Sequence, residues 1–163
     1  MKVGIFLGSD SDFPIVEEAI QLMKKFEVEF GLEVTSAHRS PERTKKLIND
    51  FEERGVDVFI AVAGKAAHLA GVVASHTVRP VIGVPVGGSG LGGLDALLST
   101  SQMPKGIPVA CMGIGKSGAL NAVLLAIQIL ALADPSMKKK LNNFRSQMAE
   151  NVEAASQKIQ DKL

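Results

Sequence analysis

Residues 56–63, Val-Asp-Val-Phe-Ile-Ala-Val-Ala, restrict the fold more than any other stretch. The run is almost wholly apolar and stops at Gly64-Lys65, as expected of a strand covered on both faces in a parallel sheet. A parallel sheet needs a crossover after each strand, and the chain supplies them. Lys2–Leu7 reads as a β-branched strand, Gly8-Ser-Asp-Ser-Asp12 as a polar loop, and Pro14 opens a helix with Ile15, Ala19, Leu22, Met23 and Phe26 at helical spacing. Val28–Thr35 repeats the strand. It is followed by a loop carrying His38 and Arg39 and by a helix from Pro41 to about Arg54, with Ser40 as N-cap, Leu47, Ile48 and Phe51 inward, and Gly55 as terminator.

The second half continues the pattern. Ala66–Ser75 is rich in small residues and reads as a closely packed helix; Pro80–Val86 is the fourth strand. Gly87–Gly93 is too glycine-rich to be rigid and reads as a mobile flap leading into a short helix over Leu94–Thr100. After a turn at 102–106, Ile107–Met112 reads as the fifth strand. Lys116–Ala133 then reads as a helix so apolar that it must be buried on every side. The expected architecture is α/β, a three-layer αβα sandwich on a flavodoxin-like parallel five-stranded sheet with a long C-terminal helix. All 163 residues suit one domain with a real core. From Pro135 to Leu163, Met137, Leu141, Phe144, Met148, Val152, Ala155, Ile159 and Leu163 form an apolar stripe at three- and four-residue spacing. A domain already flanked by its helices has little surface to cover it, so the stripe predicts packing on another subunit in an obligate homo-oligomer.

Several function classes drop out. The net charge is +1 and the basic residues are scattered apart from Lys138-Lys139-Lys140, so no nucleic-acid-binding face is expected. The single cysteine, Cys111, allows no disulfide within the chain and fits a reducing cytoplasm. No apolar run reaches a membrane span, and the first strand is too short for a signal peptide. Two famous patterns are decoys. Ala110–Ser117 satisfies a relaxed phosphate-loop pattern ending in Gly115-Lys116-Ser117, but no strand ends in the acidic residue that would hold magnesium. Gly88–Gly93 satisfies GxGxxG without the later acidic residue a dinucleotide ribose requires. A small NTPase using Lys116, or a purely structural oligomer, are the readings from other classes.

Gly8–Asp12 offers backbone N–H groups and hydroxyls at a helix N-terminus, a seat for phosphate, with Asp12 available to a ribose diol or simply capping the helix. Arg39 on the neighbouring loop can complete phosphate neutralisation. His38 and Arg39 lie where ligands bind in open α/β sheets, or on an ordinary surface loop. His68 reads as a packed core histidine rather than a catalytic one, and His76 as a surface residue.

Gly8–Asp12, Ser36-Ala-His-Arg39 with Pro41, Ala63-Gly64 with Ala66-Ala-His-Leu69, Gly83-Val-Pro-Val86, Gly93–Leu97, Gln102-Met-Pro with Gly106-Ile-Pro-Val109, and Asn121-Ala122 with Leu124-Leu-Ala126, taken in order, resemble the PurE family from Val3 to about Leu132. The resemblance implies a cytoplasmic isomerase of purine biosynthesis. It would move a carboxylate from the exocyclic nitrogen of carboxyaminoimidazole ribonucleotide to C4 of the ring, with carbon dioxide as a trapped intermediate, no metal or organic cofactor, and a homo-octamer. It implies His38 as the catalytic histidine and Ser9, Asp12 and Arg39 as nucleotide-binding positions. One proton must be given to nitrogen and one taken from C4, a pair of transfers suited to an imidazole that titrates near neutrality. Ser11 and Ser36 are expected to add phosphate contacts, and backbone N–H groups from Gly64 through Lys65 and Ala66 to Ala67 to hold the carboxylate or the gas, with His68 among the substrate-binding positions. Lys65 stands where the mutases often carry a small residue, and its ammonium faces the carboxylate pocket or solvent. A second class of the family carboxylates aminoimidazole ribonucleotide directly; it usually has a Ser-Asn segment where this chain has Ala66–Leu69, which favours the mutase.

Overall fold

The computed structural model describes residues 1–163. Its elements are β1 (Val3–Leu7), α1 (Phe13–Lys25), β2 (Phe30–Val34), α2 (Pro41–Glu53), β3 (Val58–Gly64), α3 (Leu69–Ser75), β4 (Val81–Val86), α4 (Leu94–Ser101), β5 (Ala110–Cys111), α5 (Lys116–Leu130) and α6 (Pro135–Gln160). A single 3-10 turn, Asp10–Asp12, precedes α1. All strand pairs are parallel in the order β2-β1-β3-β4-β5, with Leu7 of β1 opposite both Val34 and Val62. This is the flavodoxin-like strand order, with helices on both sides of the sheet.

The sheet is covered because its strands have no polar face to offer. β1 and β4 are buried at every residue and β3 at its first five. On one face Phe6, Phe59 and Ala61 cluster with Ile48 and Phe51 of α2 and Leu69, Ala70 and Val73 of α3. The Phe6 ring lies 5.1 Å from Phe51 and 5.6 Å from Phe59. Close packing there requires glycine: a Cβ on Gly4 would meet Phe51 at 2.6 Å, and one on Gly83 would meet Thr100 of α4 at 2.3 Å. A 3.7 Å ion pair, Lys116 to Glu18, joins α5 to α1.

β2, β5 and α3 are shorter than expected, each for a local reason, and α5 differs in its burial. β2 starts at Phe30 rather than Val28, because Val28 N–H closes α1 on the Met23 carbonyl after Glu27 turns left-handed at φ 58°. β5 shrinks to two residues: Ile107 N–H turns back to Pro104, and Pro108 has no N–H to give to a ladder. α3 begins at Leu69, not Ala66, because Lys65 takes φ 57° and the next two amides make tight bonds, Ala67 to the Lys65 carbonyl and His68 to that of Ala66. α5 is not enclosed on every side. Ala119, Ala122, Val123 and Ala126 are buried, while Leu120, Leu124, Leu125, Ile129 and Leu130 remain partly exposed.

Met1–Ala126, with the whole sheet, forms one compact unit, and Ile127–Leu163 a second. In the second unit α6 starts at Asp134, whose carboxylate accepts N–H bonds from Ser136 and Met137 and a hydroxyl bond from Ser136. Those donors, the Ser136 hydroxyl first, hold the carboxyl below its usual range. Of the apolar stripe on α6 only Leu141 is buried; Met148, Val152, Ile159 and Leu163 are exposed. No helix is long and apolar enough to cross a membrane.

Candidate active site

The loops after β1, β2, β3 and β4 surround a cavity of about 820 Å³ at the carboxyl ends of the strands. Ser9, Ser11, Asp12, Ser36, His38, Arg39, Gly64, Lys65 and Ala66 line it. Nine of the ten positions singled out in the sequence therefore share one wall. The tenth, His68, touches the site through another residue.

The β1 loop is built around Ser9. Its hydroxyl accepts the Ser11 N–H, while Asp12 Oδ2 accepts the Ser9 N–H at 3.0 Å, a reciprocal cap on the 3-10 turn. Asp12 thus caps that turn rather than α1 itself, to which its side chain gives no capping bond. Burial pushes the Asp12 carboxyl above its ordinary range; the Ser9 N–H opposes that shift and the neighbouring Asp10 charge adds to it. Gly8 lets the loop start close to the adjacent strand, since a Cβ there would lie 3.3 Å from Ala63 Cβ, a tight contact.

The β2 loop is anchored by the hydroxyls of Thr35, Thr44 and Ser40. Thr35 is buried, donates its N–H to the Leu7 carbonyl, and shares a 2.8 Å hydroxyl contact with the buried Thr44 of α2. Ser40 occupies the N-cap position of α2 without a side-chain capping bond. Its hydroxyl instead receives the Ser36 N–H and donates to the Ser36 carbonyl. Ser36, expected to bind phosphate, has its Oγ engaged by Arg39, accepting from the Arg39 N–H at 3.2 Å and from Nε at 3.4 Å. Arg39 Nη2 reaches the Gly8 carbonyl at 3.5 Å, which ties the β2 loop to the β1 loop.

His68 is a correction. It is exposed rather than part of the core, and its Nδ1 lies 2.8 Å from Nε2 of His38, with the two rings edge to face. At that distance the N–H of one ring donates to the bare nitrogen of the other, so each ring fixes the tautomer and orientation of its partner. Periodicity cannot find such a contact, because the residues lie 30 positions apart and meet only through the sheet. His76 is exposed at the end of α3.

Gly87 and Gly88 close the cavity's far side. Residues 87–93 fold as a turn in which Ser89 donates its hydroxyl to Asp95 at 2.8 Å and receives the Leu91 N–H. Asp95, inside the Gly93–Leu97 motif, thus ties this segment to the first turn of α4. Lys116, the lysine of the phosphate-loop look-alike, faces Glu18. No three His, Cys, Asp or Glu side chains converge as metal ligands.

A 2-1-3-4-5 sheet with its crevice at the switch between β1 and β3, walled by an arginine, a buried carboxylate and an imidazole that a second imidazole backs, defines a flavodoxin-like α/β protein equipped for acid–base work on an anionic ligand. Residues 2–151 match the family described as AIR carboxylase. The N5-carboxyaminoimidazole ribonucleotide mutase of Pyrococcus abyssi (strain GE5 / Orsay) is 53% identical over 147 residues, 90% of this chain and 83% of that protein. The protein of the same name from Methanocaldococcus jannaschii is 50% identical, covering 96% of each. Among solved structures, Treponema denticola PurE matches with a TM-score of 0.86 at 26% identity over 96% of each chain. The chain belongs to the AIR carboxylase family. It is an enzyme of purine biosynthesis, an isomerase of the mutase type.

Proposed function

We propose that this chain converts N5-carboxyaminoimidazole ribonucleotide to 4-carboxy-5-aminoimidazole ribonucleotide, with His38 as the catalytic residue. The observation that carries the reading is the cavity that His38, Arg39 and Asp12 line together, with His68 in contact with His38. Protonated His38 gives a proton to the exocyclic nitrogen as the N–C bond of the carbamate breaks, releasing carbon dioxide and leaving the amine. The electron-rich C4 then attacks the gas, and neutral His38 removes the C4 proton, so atoms and charge balance and the histidine is restored. Ser9, Ser11 and Arg39 receive the phosphate at the N-terminus of the 3-10 turn, Asp12 takes the ribose diol, and Ser36 orients Arg39. Ala67 N–H is already given to the Lys65 carbonyl, so Lys65 and Ala66 are the donors of the β3 turn best supported as carboxylate contacts. Gly87 and Gly88 help retain the gas. The protein acts in the cytoplasm as a homo-oligomer, an octamer, in which the exposed stripe of α6 and the half-covered leucines of α5 pack on other subunits; those exposures support the reading.

The test is turnover of the carbamate substrate in labelled bicarbonate. Product without label supports internal transfer of trapped gas. Label entering at the rate of turnover, with aminoimidazole ribonucleotide as an efficient substrate, overturns it in favour of direct carboxylation.

Asp12→Asn is expected to keep the Ser9 N–H bond and to raise KM roughly 10- to 100-fold, the worth of a hydrogen bond to a charged acceptor. The pH sign follows from the raised carboxyl of Asp12. The ionised form that accepts from the ribose is complete above the folded value and is lost as pH falls through it. Wild-type KM therefore rises on acidification, over a window starting above the ordinary 3.8, while the Asn variant lacks that step. Steady-state kinetics across pH checks both.

A further inference from the structure

Lys65 is one of two non-glycine residues in the left-handed backbone region, at φ 57°, and the only one of the two at the cavity. A glycine would hold that conformation without strain, so what the position gains from lysine is its side chain. Lys65 lines the cavity and its ammonium has no carboxylate partner, whereas Arg39 is held by Ser36 and the Gly8 carbonyl. These two cations stand on the loops after β3 and β2, which flank β1 on its two sides. Two interstrand spacings separate the strand ends by about 10 Å. The ligand of the proposed reaction has two anionic groups, a phosphate on the ribose and a carboxylate on the imidazole. Phosphate is claimed by the β1 turn and Arg39. The carboxylate must sit against the His38–His68 pair, and His68 is only three residues beyond Lys65.

We infer that Lys65 is a specificity-determining residue that pairs with the migrating carboxylate and makes the site select carboxylated imidazole ribonucleotides over the uncarboxylated one. This rests on the proposed reaction and deepens it: the charge favours retention of both carboxylated species and gives no added hold on aminoimidazole ribonucleotide, which lacks the carboxylate. The pairing is of one ammonium with one carboxylate in a partly open cavity, so salt weakens it.

Titration calorimetry with 4-carboxy-5-aminoimidazole ribonucleotide and with aminoimidazole ribonucleotide, at low and high salt, tests the inference on wild type, Lys65→Gly and Lys65→Arg. Lys65→Gly accepts the left-handed backbone more readily than lysine, so its folding is not at risk. The expected result is a roughly 3- to 30-fold weaker Kd for the carboxylated ligand in Lys65→Gly, no change for the uncarboxylated one, retention in Lys65→Arg, and a smaller difference at high salt. Equal losses for both ligands, or no loss for the carboxylated one, overturn the inference and leave the proposed reaction standing. Failure of wild type to bind either ribonucleotide overturns both.

Discussion

His38→Asn is expected to lower kcat by roughly 10²- to 10⁴-fold, the range supplied by one positioned acid–base group, with KM changed far less. Asparagine retains a polar contact to His68 but cannot carry a proton from the exocyclic nitrogen to C4. The loss should therefore fall on chemistry rather than binding, and direct titration of the variant with product should give nearly the wild-type Kd. His68→Asn serves as the companion. It leaves His38 in place while removing the ring that orients it and fixes its tautomer, so kcat is expected to fall by less than in His38→Asn, with KM little changed. Full activity in His38→Asn would remove this histidine from the mechanism.

Phe6→Ala is expected to cost about 3–5 kcal/mol of stability, the range for deleting a buried aromatic ring. Phe6 is fully buried on β1 and is flanked by the rings of Phe51 and Phe59, which hang from a helix and a second strand. No single neighbour can collapse into the space, because each is held by a different element. For a chain of this length the loss corresponds to a melting temperature lower by roughly 6–20 °C. Phe6→Leu, keeping most of the volume, should lose far less. With neither Trp nor Tyr in the chain, thermal unfolding followed by far-ultraviolet circular dichroism is the measurement to make.

The elements that are legible in the sequence are those whose burial is two-sided or strictly periodic. The run over 56–63 foretells β3, and the helical spacing from Ile15 to Phe26 foretells α1. What escapes is decided by single backbone events. A left-handed Lys65 delays α3 by three residues, and Pro108 reduces an apolar stretch to a two-residue edge strand. The site was legible in its types of residue but not in their wiring. Ser36 and Asp12 are in the cavity as anticipated, yet the first has its hydroxyl engaged by Arg39 and the second is tied to the Ser9 amide. The Thr35–Thr44 hydroxyl pair and the imidazole contact involve residues 9 and 30 positions apart, and no local pattern encodes either.

The common register of β1 with both its neighbours gives the histidine pair a second meaning. His38 follows β2 and His68 follows β3, and the two strands are aligned only through β1, whose Leu7 faces Val34 on one side and Val62 on the other. A slip of one residue on either side displaces a loop by about 3.3 Å, more than the 2.8 Å that separates the two nitrogens. The imidazole contact is thus a gauge of sheet alignment: it can form only in molecules whose three strands share this one register.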